Sequence, residues 1–302
     1  MENTEKIVID WLSWTSKKFE KVEDILAYFN FDCFDFIELD RGRFGYKKSL
    51  LSSDSKIQIL YDGTEEMGIN IILSGTSCRL LEGKGFDLLD LLIILSSDDF
   101  TITRLDLALD SFKNLMDKII RKYEKNEYIS KFRSTKKIEN KKGDEKNGTT
   151  LYFGSRSSDI MIRIYDKAKE QKIDNLNWLR VEFEIKKEYA KDVVFKILNS
   201  NLAKVFCGLL SNYLNFVTKK EKNVSRSKIC TWWLELIQDA KKIRIYRDPK
   251  EKNIDDIKTW LLKQVSTSLA TVVHNDLNRN FIEKMLKEGT LKMTDKHYAL
   301  IK

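Results

Sequence analysis

The sequence predicts an α+β fold, a largely antiparallel sheet with one polar face and helices on the other, followed by a helical C-terminal region. Two observations predict the sheet. Runs in ITRLDLALD, DIMIRIYDK and WLRVEFEIK alternate apolar and polar residues with period two, as half-buried strands do. In each run one set is aliphatic: Leu105, Leu107 and Leu109; Ile160, Ile162 and Ile164; Val181, Phe183 and Ile185. The other sets hold Arg104, Asp106 and Asp110; Arg163, Tyr165 and Lys167; Arg180, Glu182 and Glu184. If the strands share a sheet, helices can cover the aliphatic face, and chemistry belongs to the polar one. The third observation is the change beyond Lys187, where apolar residues recur at helical spacing almost to the end.

Taken in order, KIVIDWLSW reads as a strand, and Phe19, Val22, Ile25, Leu26 and Phe29 mark a helix after it. The segments FDFIELDRGRFGYKKSLLSSDSKIQILYDG and MGINIILSGTSCRLLE read as short strands of a β-meander, separated by glycines and serines. FDLLDLLIILSSDDF is a compact apolar helix that leads into ITRLDLALD. An amphipathic helix is expected over 112–128, and the lysine-rich KFRSTKKIENKKGDEKNG is expected as a surface loop or hairpin. After the last two alternating runs, a helical stretch follows from Glu188 to about Thr218. Lys219 to Lys228 is expected as a basic, polar connector, and further helices are expected over about 254–273 and 279–288, with Pro249 in a turn before them. We divide the chain at 205/206, into a domain over 1–205 that carries the polar face and a helical region over 206–302.

The net charge of +8 and a pI near 9.0 favour a polyanionic partner, since lysine and arginine displace counterions from phosphates; the alternative is a solvated basic surface. Cys33, Cys78, Cys207 and Cys230 form no CxxC pair and no zinc spacing, and fit reduced thiols in the cytoplasm. No apolar run reaches the roughly 18 residues of a membrane span, so no membrane partner is expected. With only His274 and His297, a histidine-based metal pair is excluded. Any metal site must be built mainly from carboxylate oxygens, which suits Mg²⁺ or Mn²⁺ better than Zn²⁺. No P-loop or dinucleotide fingerprint is present.

Two readings of the polar face stand side by side. Its acids and arginines can be a salt-bridged sheet surface with Tyr165 a strand-end phenol. They can instead be a site in which Tyr165 is a nucleophile, Arg163 and Lys167 stabilise its phenolate and hold a phosphate, and carboxylates on paired strands hold a divalent ion.

In the order TRLDLALD, TLYFGSRSSDIMIRIYDKAKEQ and WLRVEFEIK, the chain resembles the replication initiation factor family, which includes rolling-circle plasmid initiators and nicking relaxases of conjugative elements. DWLSWT, GYKKS and LSGTSCR are similar to blocks of the conjugative-element and phage-type branch. The likeness spans roughly 10–189. It implies a metal-dependent DNA strand transferase that nicks one strand at an origin through a phosphotyrosine. Tyr165 matches the family nucleophile, and Asp106, Asp110, Glu182 and Glu184 match its acidic positions, Asp106 and Glu182 being the first choices as ligands. Arg163, Lys167 or Arg180 would offset charge on the phosphate. The resemblance further implies origin DNA as partner, both duplex and extruded single strand, a host helicase and polymerase, and a homodimer. For duplex contact the region from about Val224 to Asn275 is expected to use Arg226, Lys228, Lys241, Lys242, Arg244 and Arg247, with a helical buttress as the alternative. Rival functions are a non-catalytic basic DNA-binding protein and a water-using, metal-dependent nuclease.

Overall fold

The computed structural model describes residues 5–32, 34–54, 56–64, 66–142, 145–223, 226–242, 254, 258, 261–275, 280–293, 298 and 301, with backbone alone at 140–142, 145–147, 238–242, 263 and 264. Its centre is a ten-stranded antiparallel sheet in the order β2-β3-β4-β5-β1-β6-β11-β10-β9-β8. The strands are β1 (Lys6–Ser16), β2 (Phe36–Leu39), β3 (Lys48–Ser52), β4 (Gln58–Tyr61), β5 (Ile69–Leu73), β6 (Phe100–Ser111), β8 (Thr135–Lys142), β9 (Glu145–Phe153), β10 (Ile160–Asp166) and β11 (Leu179–Lys186). A separate pair joins β7 (Tyr128–Ser130) to β12 (Leu214–Phe216). The three alternating runs lie side by side as β6, β11 and β10, and register puts their aliphatic residues on one face. All nine of those apolar side chains, eight aliphatic and Phe183, are buried.

Helices cover that face because their apolar stripes have nowhere else to go. They are α1 (Val22–Tyr28), α3 (Leu88–Leu95), α4 (Met116–Glu124), α6 (Lys187–Leu198) and α7 (Leu202–Tyr213). Trp14 of β1 meets Phe29 beside α1 with ring centroids 5.2 Å apart, and Phe183 of β11 meets Phe206 of α7 at 5.5 Å. Side-chain caps set several starts: Asp87 accepts from Leu89 N at 2.8 Å for α3, and Asn201 accepts from Lys204 N at 2.7 Å for α7. Helix α8 (Thr231–Lys242) packs by Trp233, Leu236 and Ile237, Trp233 lying 4.8 Å from Phe216.

The segment GTSCRLLEG, expected in the meander, is instead helix α2 (Gly75–Gly83), because Ser74 caps it by accepting from Ser77 N and only Ser77, Cys78 and Leu81 are buried, at helical spacing. Only residues 12–16 of β1 pair with β5, so the first half of β1 has a free edge on that side. Helix α2 occupies it, and Arg79 Nη2 donates to Ile9 O at 2.5 Å. The helix expected over 112–128 is the shorter α4, and the lysine-rich stretch is the β8–β9 hairpin.

The chain forms two compact units, 1–245 and 246–302. The expected division at 205/206 cuts through α7, whose Phe206, Cys207 and Leu210 are core residues of the first unit. In the second unit the described elements are a π-helical turn (Leu261–Val265), α9 (Ser266–Asn275) and α10 (Asn280–Leu291), and no described side chain of α9 or α10 is buried. No helix among the described residues is long and apolar enough to cross a membrane.

Candidate active site

Register assembles the site. Asp110, Arg180, Tyr165 and Thr150 are successive partners across β6, β11, β10 and β9, so they form one row on the polar face. The next row is Ala108, Glu182, Arg163 and Tyr152, and the one after it is Trp11, Asp106, Glu184 and Met161. Every polar residue that the alternation assigned to β6, β10 and β11 therefore faces the same way. Lys167 begins the short helix α5 (Lys167–Glu170) where β10 ends, with Asp166 as its cap.

The charges are matched pair by pair. Arg180 donates from Nε and Nη2 to the two oxygens of Asp110 at 2.6 and 2.7 Å, and its Nη1 lies 2.8 Å from Asp10 Oδ1. Arg104 donates to both oxygens of Asp106 at 2.8 and 2.5 Å and lies 2.8 Å from Glu184. Arg163 is bound to Glu182 Oε1, and Tyr165 Oη donates to Glu182 Oε2 at 3.0 Å. Lys167 pairs with Glu170, its Nζ 5.7 Å from the centre of the Tyr165 ring.

A cleft of about 960 Å³ opens over this face. Tyr165, Arg163, Lys167, Arg180, Glu182 and Asp110 line it; Asp106 and Glu184 do not. Asp106 is 1% exposed beneath Arg104. Burial pushes its carboxyl up to about 8, with Arg104 opposing and Glu182 and Glu184 adding to the rise. The Tyr165 phenol is raised well above its ordinary value, by burial first and then by Glu182, which outweigh Arg180 and Arg163. Burial and Glu182 thus outweigh the acidifying effect of the cationic neighbours.

The four acids expected to hold Mg²⁺ or Mn²⁺ do not fit such an ion as they stand. Hard cations take six or more oxygens, whereas Asp106, Asp110, Glu182 and Glu184 each give oxygens to guanidinium groups. Among the described residues no three metal-ligating side chains converge.

Of the residues expected to hold duplex DNA, Arg226 and Lys228 lie in the chain between β12 and α8, where Lys228 O accepts from Thr218 N at 2.8 Å. Lys241 and Lys242 end α8, and Arg244 and Arg247 lie outside the described residues. The stretch over 224–275 is divided between the two units.

Sequence reasoning missed Asp10, the second partner of Arg180. Between Ile9, opposite Leu107, and Trp11, opposite Asp106, the strand holds one extra residue, a bulge at Asp10. The signal was a break in parity: apolar core residues fall at 7 and 9, then at 12 and 14. Lys6, Gly75 and Thr76 also line the cleft; a Cβ on Gly75 would lie 2.9 Å from Asp10 Oδ1.

Comparison with known proteins places this geometry. Residues 6–87 match the family described as rolling circle replication initiation protein N-terminal domain, and residues 100–287 match that described as replication initiation factor. A protein of Bacillus subtilis (strain 168) named "Putative DNA relaxase NicK" is 27% identical over 268 residues, covering 81% of this chain and 75% of that one. The solved rolling circle replication initiator protein from Geobacillus stearothermophilus is 31% identical, superposes with a TM-score of 0.72, and covers 80% of this chain and 98% of that one. The second match takes in β6, β10 and β11 together, the strands that build the polar face, and on these grounds the chain belongs to the replication initiation factor family.

Proposed function

We propose that the chain is a DNA strand transferase that nicks one strand at an origin, to begin rolling-circle replication or mobilisation, with Tyr165 as nucleophile. The observation that carries this reading is the hydrogen bond from Tyr165 Oη to Glu182 Oε2 inside a cleft open to a strand of DNA. A phenol raised by burial is a poor nucleophile by itself, so a base in contact with its proton is what the chemistry needs.

Tyr165 Oη attacks the phosphorus as Glu182 takes the phenolic proton. The bond from phosphorus to the 3′-oxygen breaks, and that oxygen takes a proton from solvent. The products are a 5′-phosphotyrosine and a free 3′-hydroxyl. Because the ester bond is kept, a later 3′-hydroxyl can reverse the step and reseal the strand. Arg163 and Lys167, which line the cleft beside Tyr165, offset the charge that develops on the phosphate, each turning partly from its carboxylate to do so. Arg180, fixed between Asp110 and Asp10, positions the row in which Tyr165 stands.

The test is a single-stranded origin oligonucleotide incubated with the full chain, followed by denaturing electrophoresis. A protein–DNA adduct that survives denaturation and is lost in Tyr165→Phe supports the reading. An adduct that persists in Tyr165→Phe but vanishes in Tyr152→Phe moves the nucleophile to Tyr152, which also lines the cleft. Cleavage without an adduct supports a hydrolytic nuclease, and binding alone supports a non-catalytic role. Dependence on Mg²⁺ or Mn²⁺ is read from the same assay with chelator. Host helicase and polymerase, and a dimer, belong to the reading as its expected partners.

A further inference from the structure

The polar face carries a second cavity, of about 410 Å³, over the strands on the far side of β1. Leu51, Gln58 and Ile72 are successive register partners there, continuing the row that runs through Ser13 to Arg104. Trp11 of β1 closes the near side, and Ser74 lines both this cavity and the cleft. The two hollows thus share one sheet face. By strand spacing and residue rise, Trp11 and Tyr165 stand roughly 20 Å apart, three strands across and four residues along.

The rim is a loop over 40–47 that is built rather than loose. Tyr46 is buried against Leu60 and Ile72, and its hydroxyl donates to Met67 O at 3.1 Å. Ser49 Oγ donates to Arg41 O at 2.8 Å. A Cβ at Gly42 would sit 2.2 Å from Tyr46 O, so glycine is required for the loop to close. This fold presents Arg41 and Arg43 to the cavity. Unlike Arg104, Arg163 and Arg180, neither makes an ion pair among the described residues, while neighbouring Lys48 is taken up by Glu38. At the tip, Phe44 is 77% exposed and held at φ +55°, a backbone state that bulky side chains disfavour.

Guanidinium groups without carboxylates, an exposed ring and an apolar floor are the complement of single-stranded DNA, whose phosphates seek cations and whose bases stack on aromatics. Resting on the phosphotyrosine reading, we propose that this cavity and its loop form a nucleotide-binding subsite, holding the strand a few nucleotides from the phosphodiester offered to Tyr165. Arg41 and Arg43 take backbone phosphates, and Phe44 stacks on a base.

The test measures binding of oligothymidylates of roughly 4 to 16 nucleotides to the full chain by fluorescence anisotropy. Wild-type affinity is expected to climb once the oligonucleotide is long enough to reach the loop. Phe44→Ala should cut the affinity of the long oligonucleotides about tenfold and leave the shortest unchanged. Arg41→Gln with Arg43→Gln should lower the slope of log affinity against log salt by about 1.4, two phosphates' worth for a single strand. If both variants keep the wild-type length dependence and salt slope, the subsite is overturned while the phosphotyrosine reading stands. If blunt duplex competes as well as single strand, base stacking is not the basis and the subsite is overturned too. If wild type binds no oligothymidylate and forms no adduct, the phosphotyrosine reading falls first and the subsite with it.

Discussion

Tyr165 and Glu182 face each other diagonally across the β10–β11 ladder: the register partner of Tyr165 is Arg180 and that of Glu182 is Arg163, yet the phenol reaches Glu182 Oε2 at 3.0 Å. The same carboxylate holds Arg163 with its other oxygen. One carboxylate thus contacts both the phenol proposed as nucleophile and the guanidinium of Arg163.

Glu182→Gln keeps the size of the side chain and removes the proposed base. Adduct formation near pH 7 should fall by about 10²–10⁴. Burial, the largest cause of the raised phenol, remains in the variant, so its residual rate should climb about tenfold per pH unit between pH 7 and 9 as free phenolate accumulates. Wild type, which does not wait for phenolate, should climb less steeply. Equal slopes in the two proteins would remove Glu182 from the role of base.

Arg180→Met should cost about 3–5 kcal/mol of stability in urea unfolding, because it leaves the buried Asp110 and the half-buried Asp10 without their cation. A loss under 1 kcal/mol would mean that solvent or Lys6 replaces the guanidinium.

Asp106 gives a pH signature. Its folded value of about 8 lies above the unfolded one of about 3.9, so the folded state holds the proton more tightly in between. Its contribution to stability is complete below pH 4, is lost as pH rises toward 8, and is flat beyond. The urea midpoint of Asp106→Asn, compared with wild type at pH 5, 6, 7 and 8, should therefore decline less over that range. A difference that does not change with pH would show that Asp106 is ionised throughout.

Divalent ions should raise the melting temperature of the DNA-free wild type little, since guanidinium groups occupy the carboxylates. Arg104→Gln frees oxygens of Asp106 and Glu184 and should make melting respond to Mn²⁺. A strong response already in wild type would show that Arg104 or Arg163 yields to the ion.

Much of this was legible in the sequence because period-two alternation fixes side-chain direction: the facing of Asp106, Arg163, Tyr165, Arg180 and Glu182 follows from it once the strands are neighbours. What alternation cannot carry is neighbour order and pairing partners. The acids look like a ligand set in one dimension; in three, Asp110 and Glu182 stand opposite arginines, Glu184 diagonal to one, and Asp106 beside Arg104 on its own strand. Helix α2 was hidden because GTSCRLLEG follows an apolar strand without a proline, and its start depends on the Ser74 cap. Asp10 was hidden because a bulge resets the parity that the reading relies on.

That bulge makes β1 unusual as an engineering target. Ile9 pairs with Leu107 and Trp11 with Asp106, which are consecutive on β6, so the ladder closes equally well with residue 10 deleted. Elsewhere in a strand, loss of one residue throws every later side chain onto the wrong face. Here it would remove this bulge, leaving the irregularity between Ser13 and Trp14, and take away one of the two carboxylates that hold Arg180. The register of β1 with β6 does not use residue 10, and a deletion there is expected to separate what the site requires from what the sheet requires.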